Sequence, residues 1–161
     1  MNIVLFYSSI ITGIGCFIVS ISLHNFYSEY WIFYSITTIG IITSIVNHGT
    51  TYNTTRNIDR MFMVIAFLYF ISFIDTYISE YKIVDYALLS SMVLLFITSK
   101  LPNISQNISN ILHTSAHFIF LWLFTMILLD LSPEKQKNIN IFSLYPLYYE
   151  IPDYERRTTI L

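Results

Sequence analysis

Apolar residues run along the chain in long stretches at about 3–22, 30–47, 61–79 and 111–130, each within the ~17–25 residues that a bilayer-spanning helix needs, and a shorter run covers 83–99. These runs lack the ten-residue alternation of barrel strands. In hydrocarbon, a backbone outside a closed barrel satisfies its own hydrogen bonds only as a helix. The pattern therefore predicts an all-α fold: a polytopic transmembrane helix bundle over 1–130, with about five spanning helices. A polar tail over 131–161, holding three of the four prolines, is expected to be flexible. No positive residue precedes the first run and no clean small-residue cleavage site follows it, so a retained helix is expected rather than a secretory signal.

Composition agrees with this pattern, since 55% of the 161 residues are hydrophobic and only 11% are charged, roughly half the usual charged share. An integral, multi-pass membrane location follows as the expectation, with membrane lipid as the natural partner or substrate. A net charge of −2, without any basic cluster interleaved with aromatics, argues against nucleic acid. The single cysteine, Cys16, lies inside the first run and offers neither a disulfide nor a cysteine metal site. Lys and Arg near the runs are balanced, Arg56, Arg60 and Lys100 against Lys82, Lys135 and Lys137, so they assign no orientation. Asp75, Glu80, Lys82 and Asp85 are expected to form a charge cluster at headgroup level without chemistry. In the tail, Tyr148-Tyr149-Glu150-Ile151 and the final Thr159-Ile160-Leu161 have the form of short recognition signals, at a length where chance is the better explanation.

The histidines change the picture, because ionisable or metal-binding groups near spanning segments are uncommon and suggest function. His48 closes the second run, while His113 and His117 fall in the first turns of the fifth. A chain that crosses at every helix puts these three, together with Asp59, on one membrane side. Residues four apart share a helix face, with Cβ atoms about 6 Å apart, so His113 and His117 are placed to reach one ion. Ser44 lies under His48 by the same spacing, and Gln106, Asn110, His113 and His117 form a polar stripe expected to face the bundle interior. Plainer readings stand beside these. The histidines could bond loop carbonyls or headgroups, Asp59 could pair with Arg56 or Arg60, and Ser44 could bond back to its own helix. His24, on the opposite side, is read as structural. Asn53, Asn103 and Asn107 open glycosylation acceptor triplets, all on the histidine side.

The stretch Ser44-Ile-Val-Asn-His48, then Asp59 within Arg56-Asn-Ile-Asp59-Arg-Met-Phe-Met, and finally His113-Thr-Ser-Ala-His117 resembles the signature of a membrane hydrolase superfamily. That superfamily contains the alkaline ceramidases, the hemolysin III proteins and the progestin and adipoQ receptors. The resemblance implies Zn²⁺ held by His48, His113 and His117, with Asp59 orienting a water or shuttling its proton and Ser44 donating a hydrogen bond. It further implies zinc-dependent hydrolysis of a ceramide-like lipid amide. The chain departs from the family in offering five helices where the family has seven. Removal of an even number keeps the last helix starting on the same side, and a dimer could rebuild the missing wall. An open groove lined by aromatics is expected to run from the histidines toward the bilayer centre. The alternatives are a non-catalytic multi-pass membrane protein with a degenerate or structural metal site, and haem ligation by His48 with His113 or His117.

Overall fold

The computed structural model describes residues 2–23, 30–78 and 81–131. Five helices follow one another: α1 (Ile3–Ser22), α2 (Trp31–Gly49), α3 (Asn53–Tyr77), α4 (Lys82–Thr98) and α5 (Gln106–Asp130), with no strand among the described residues. The expected all-α fold is thus the observed one. His24, Glu80 and the tail from 132 onward, with its two short signals, lie outside the described residues.

Two helices start earlier than the apolar runs. α3 begins at Asn53 and α5 at Gln106, so polar first turns precede the hydrophobic part of each. At α5 the reason is local: Ser105 caps the helix, its side-chain oxygen accepting from the Ile108 N–H at 3.5 Å. Pro102 just upstream discourages continuation of α4, and Ser109 Oγ donates to the Ser99 carbonyl at 2.7 Å, which locks the α4–α5 corner. The histidines therefore lie deeper than expected. His113 and His117 stand seven and eleven residues along α5, roughly 10 and 16 Å from its start at 1.5 Å per residue.

Three helices are long and apolar enough to cross a membrane: α1, α3 and α5, with mean hydropathies of 2.1, 1.6 and 1.7. Of the five spans expected, these three among the described residues meet the length and apolarity a crossing needs. α4 has only 17 residues, and the 19 residues of α2 include Thr37, Thr43, Ser44, Asn47 and His48, which dilute its hydropathy. The exterior is strongly apolar on all five helices. Ile3, Ile14 and Phe17 on α1, Trp31 and Ile42 on α2, Val64 and Leu68 on α3, Ile83 and Leu94 on α4, and Ile111 and Trp122 on α5 are all exposed. A continuous apolar surface of this kind suits contact with lipid.

α5 packs on α1 and α4, α2 packs on α1 and α3, and α3 leans only lightly on α4. Away from the histidines the interior is rich in aromatics. Phe33 is fully buried, stacked on Phe73 at 4.7 Å and on Phe124 at 5.4 Å, with Ile74, Leu123 and Ile127 around it. The inward face of α1 is small and polar instead, with Ser8, Thr12, Cys16 and Ser20 buried at four-residue spacing. Small residues let helices approach closely where lipid provides no hydrophobic drive to pack. At Gly15 a Cβ would stand 2.7 Å from the end of the Leu121 side chain, so α1 and α5 meet closely there. At the opposite end, Asp75 and Lys82, two of the four residues expected to form a charge cluster, make an ion pair. Asp85 departs from the expected headgroup cluster: it is fully buried, and neither carboxylate oxygen makes a hydrogen bond.

Candidate metal centre

The C-terminal end of α2, the start of α3 and the first half of α5 meet at one end of the bundle. Asn2 ties α1, α2 and α5 together there. Its N–H donates to the His48 carbonyl at 3.0 Å, its side-chain oxygen accepts from Leu5 N–H at the start of α1, and its Nδ2 donates to Asn110 Oδ1 at 2.8 Å. The three imidazoles then converge. Ring centroids are 4.9 Å apart for His48 and His113, 5.8 Å for His48 and His117, and 5.0 Å for His113 and His117. One nitrogen from each lies within 4.8 Å of the others, so the group can hold a metal ion. A tetrahedral ion with ~2.0–2.1 Å bonds spaces its nitrogens by about 3.4 Å, a contraction within reach of side-chain rotation.

The donor set suits a metal. His48 Nε2 is buried without a hydrogen-bond partner, an expensive state for a polar atom unless something else satisfies it. His117 Nδ1 lies 2.8 Å from Ser8 Oγ, and Ser8 Oγ donates its one proton to the Leu5 carbonyl at 2.9 Å. With that proton on the Leu5 carbonyl, Ser8 accepts from an Nδ1–H, the tautomer that leaves the Nε2 lone pair of His117 available. Ser8 is thus the positioning residue for His117. Ser8→Ala is expected to weaken metal binding by about 10–100-fold while leaving the helices intact, measured by competition with a chromophoric chelator. Unchanged affinity would show that Ser8 does not orient the ring.

His113 has a different neighbour. Lys100 Nζ stands 3.2 Å from its Nδ1 and 5.4 Å above the Phe96 ring. Although Lys100 is exposed overall, its ammonium leans inward, and partial burial followed by the Arg60 charge holds it below the usual lysine range. An ion bound through Nδ1 would have to displace this ammonium; one bound through Nε2 would require Nδ1 to carry the proton.

Asp59 is buried, with Oδ2 accepting from Asn47 Nδ2 at 2.7 Å and Oδ1 buried without a hydrogen bond. It forms no ion pair with Arg56, whose guanidinium donates to Asn53 Oδ1 at 2.8 Å, nor with Arg60. Ser44 does not bond back to its own helix. Its hydroxyl lies 3.2 Å from Ser9 Oγ. Asp59, Ser44, His113 and His117 all line a cavity of about 110 Å³ whose other walls include Phe62, Phe67, Phe70, Phe96, Phe120, Met63 and Met92. On α3 the lining runs from Asp59 to Phe70, about 16 Å along the helix. Many of these side chains are only half-buried, so the cavity reaches the surface of the bundle.

All five residues singled out in the sequence thus gather at one end, three as a potential ligand set and two on the wall beside it. Asn2, Ser8, Ser9, Asn47 and Lys100 were not singled out. Of these only Ser8 and Ser9 carried a signal, as adjacent hydroxyls inside an apolar run. Comparison with known protein families, with curated proteins and with solved structures finds no match to this chain.

Proposed function

We propose that the chain is a multi-pass integral membrane protein acting as a zinc-dependent hydrolase on a lipid amide, ceramide-like in the position of its acyl group. The observation that carries this reading is the convergence of three imidazoles and one unpaired buried carboxylate oxygen at the head of an aromatic cavity. His48, His113 and His117 would hold the ion, leaving a fourth position open as in catalytic zinc sites. Zinc there would supply hydroxide at neutral pH and polarise the acyl carbonyl. The acyl chain lies along the Phe and Met wall. Asp59 Oδ1 accepts the proton released by the attacking water and returns it to the amide nitrogen as the C–N bond breaks, so the products are a fatty acid and an amine. Asn47 holds the other carboxylate oxygen, and Oδ1 is left without a hydrogen bond of its own. Ser44 Oγ, freed from Ser9, donates to the acyl oxygen as negative charge develops there.

The direct test is release of free fatty acid from a ceramide-like amide by purified protein in detergent. Turnover that is lost on chelation and restored by zinc supports the reading. Silence toward every lipid amide, with zinc bound, would overturn it.

A second reading draws on the Lys100 ammonium, which already occupies His113 Nδ1. It makes the chain a non-catalytic membrane protein whose histidine cluster is structural. Such a protein would keep its stability and cellular role with alanine at Asp59 and Ser44.

A further inference from the structure

The two ends of the bundle differ in charge. Among the described residues, Arg56, Arg60 and Lys100 lie at the histidine end against the single carboxylate Asp59, whereas Lys82 at the other end faces Asp75, Asp85 and Asp130. That is three positive against one negative at the histidine end, and one against three at the other.

This excess gathers around Lys100, which borders the cavity and feels the charges of both Arg56 and Arg60. Lys100 Nζ lies against His113 and Phe96, both of which line the cavity. Arg60 adjoins Asp59 in sequence, and Arg56 stands one turn before it on α3. Asp59, the only described carboxylate there, is hydrogen-bonded by Asn47 and acts on Lys100 and Arg60 only through space, so one negative charge is shared among three cations. A metal ion on the histidines would add further positive charge. An anion approaching there would meet three donors that share a single carboxylate, and guanidinium forks match phosphate oxygens in geometry.

We propose that the lipid taken by this site carries a phosphate-bearing headgroup, held by Arg56, Arg60 and Lys100 with its acyl chain in the aromatic cavity. The inference builds on the reading of the cavity as a lipid site and deepens it: neutral lipids of the same chain length are the poorer ligands. It needs no chemistry at the metal, so it can be tested by binding alone.

Equilibrium binding would be measured in nonionic detergent with three probes: a short-chain phosphatidic acid, the diacylglycerol with the same chains, and glycerol phosphate. Wild-type protein is compared with the double variant Arg56→Gln, Arg60→Gln, whose substituted positions are exposed and leave the fold in place. Phosphatidic acid should bind at least about tenfold more tightly than diacylglycerol, and the double variant should lose most of that preference. Glycerol phosphate should bind far more weakly than the lipid. Equal affinity for the charged and neutral lipids would overturn the proposal. So would a preference that survives the double variant, or glycerol phosphate binding as tightly as the lipid, which would make the ligand a soluble phosphate. A protein that holds no zinc and cleaves nothing yet keeps the arginine-dependent preference would retain this inference and lose the hydrolase reading.

Discussion

Replacing His113 or His117 by alanine is expected to remove metal and hydrolysis together. Each supplies one of three imidazole ligands, and the three available nitrogens lie within 4.8 Å of one another, so no other described histidine can substitute. Bound zinc should drop from about one per chain to a small fraction of that, and fatty-acid release should fall to background, because ion and nucleophile share the same ligands. Metal analysis of the purified variants, beside circular dichroism to confirm retained helix, checks the outcome. A variant that keeps full zinc would remove that histidine from the ligand set.

Asp59→Asn should separate the two properties. The substitution keeps size and polarity, and the new side-chain carbonyl can still accept from Asn47, so the wall of the cavity is retained. What disappears is the ability to take a proton. Zinc should remain bound while turnover falls by roughly 10²–10⁴-fold, the usual contribution of a positioned general base. Single-turnover kinetics beside zinc content provide the measurement. Undiminished turnover would return Asp59 to a structural role beneath Asn47.

The five helices were legible because the bilayer imposes a length and an apolar composition, and runs such as 3–22 and 111–130 meet both. The helix starts were not, since Asn53–Arg60 and Gln106–Asn110 are polar turns that carry little hydropathy signal; the first forms helix by continuity with the segment beyond, the second also through its Ser105 cap. His113 and His117 were visible as a pair because four-residue spacing is a property of the helix itself. His48 and Asp59 joined them only through the argument that alternate crossings return to one side. The partners across helices were hidden: whether Ser8 reaches His117, Asn47 reaches Asp59 or Lys100 reaches His113 depends on how α1, α2, α3 and α5 rotate against one another. The expected charge cluster failed at Asp85 for the same reason, since a residue in the first turn of α4 can face headgroups or core, and here it faces the core.

The central claim is that His48, His113 and His117 form a zinc site, and metal analysis of protein purified without chelator tests it most directly. About one zinc per chain is expected, falling sharply in His48→Ala protein whose circular dichroism is unchanged. Folded wild-type protein that holds no zinc, and takes none up when zinc is supplied, would contradict the account.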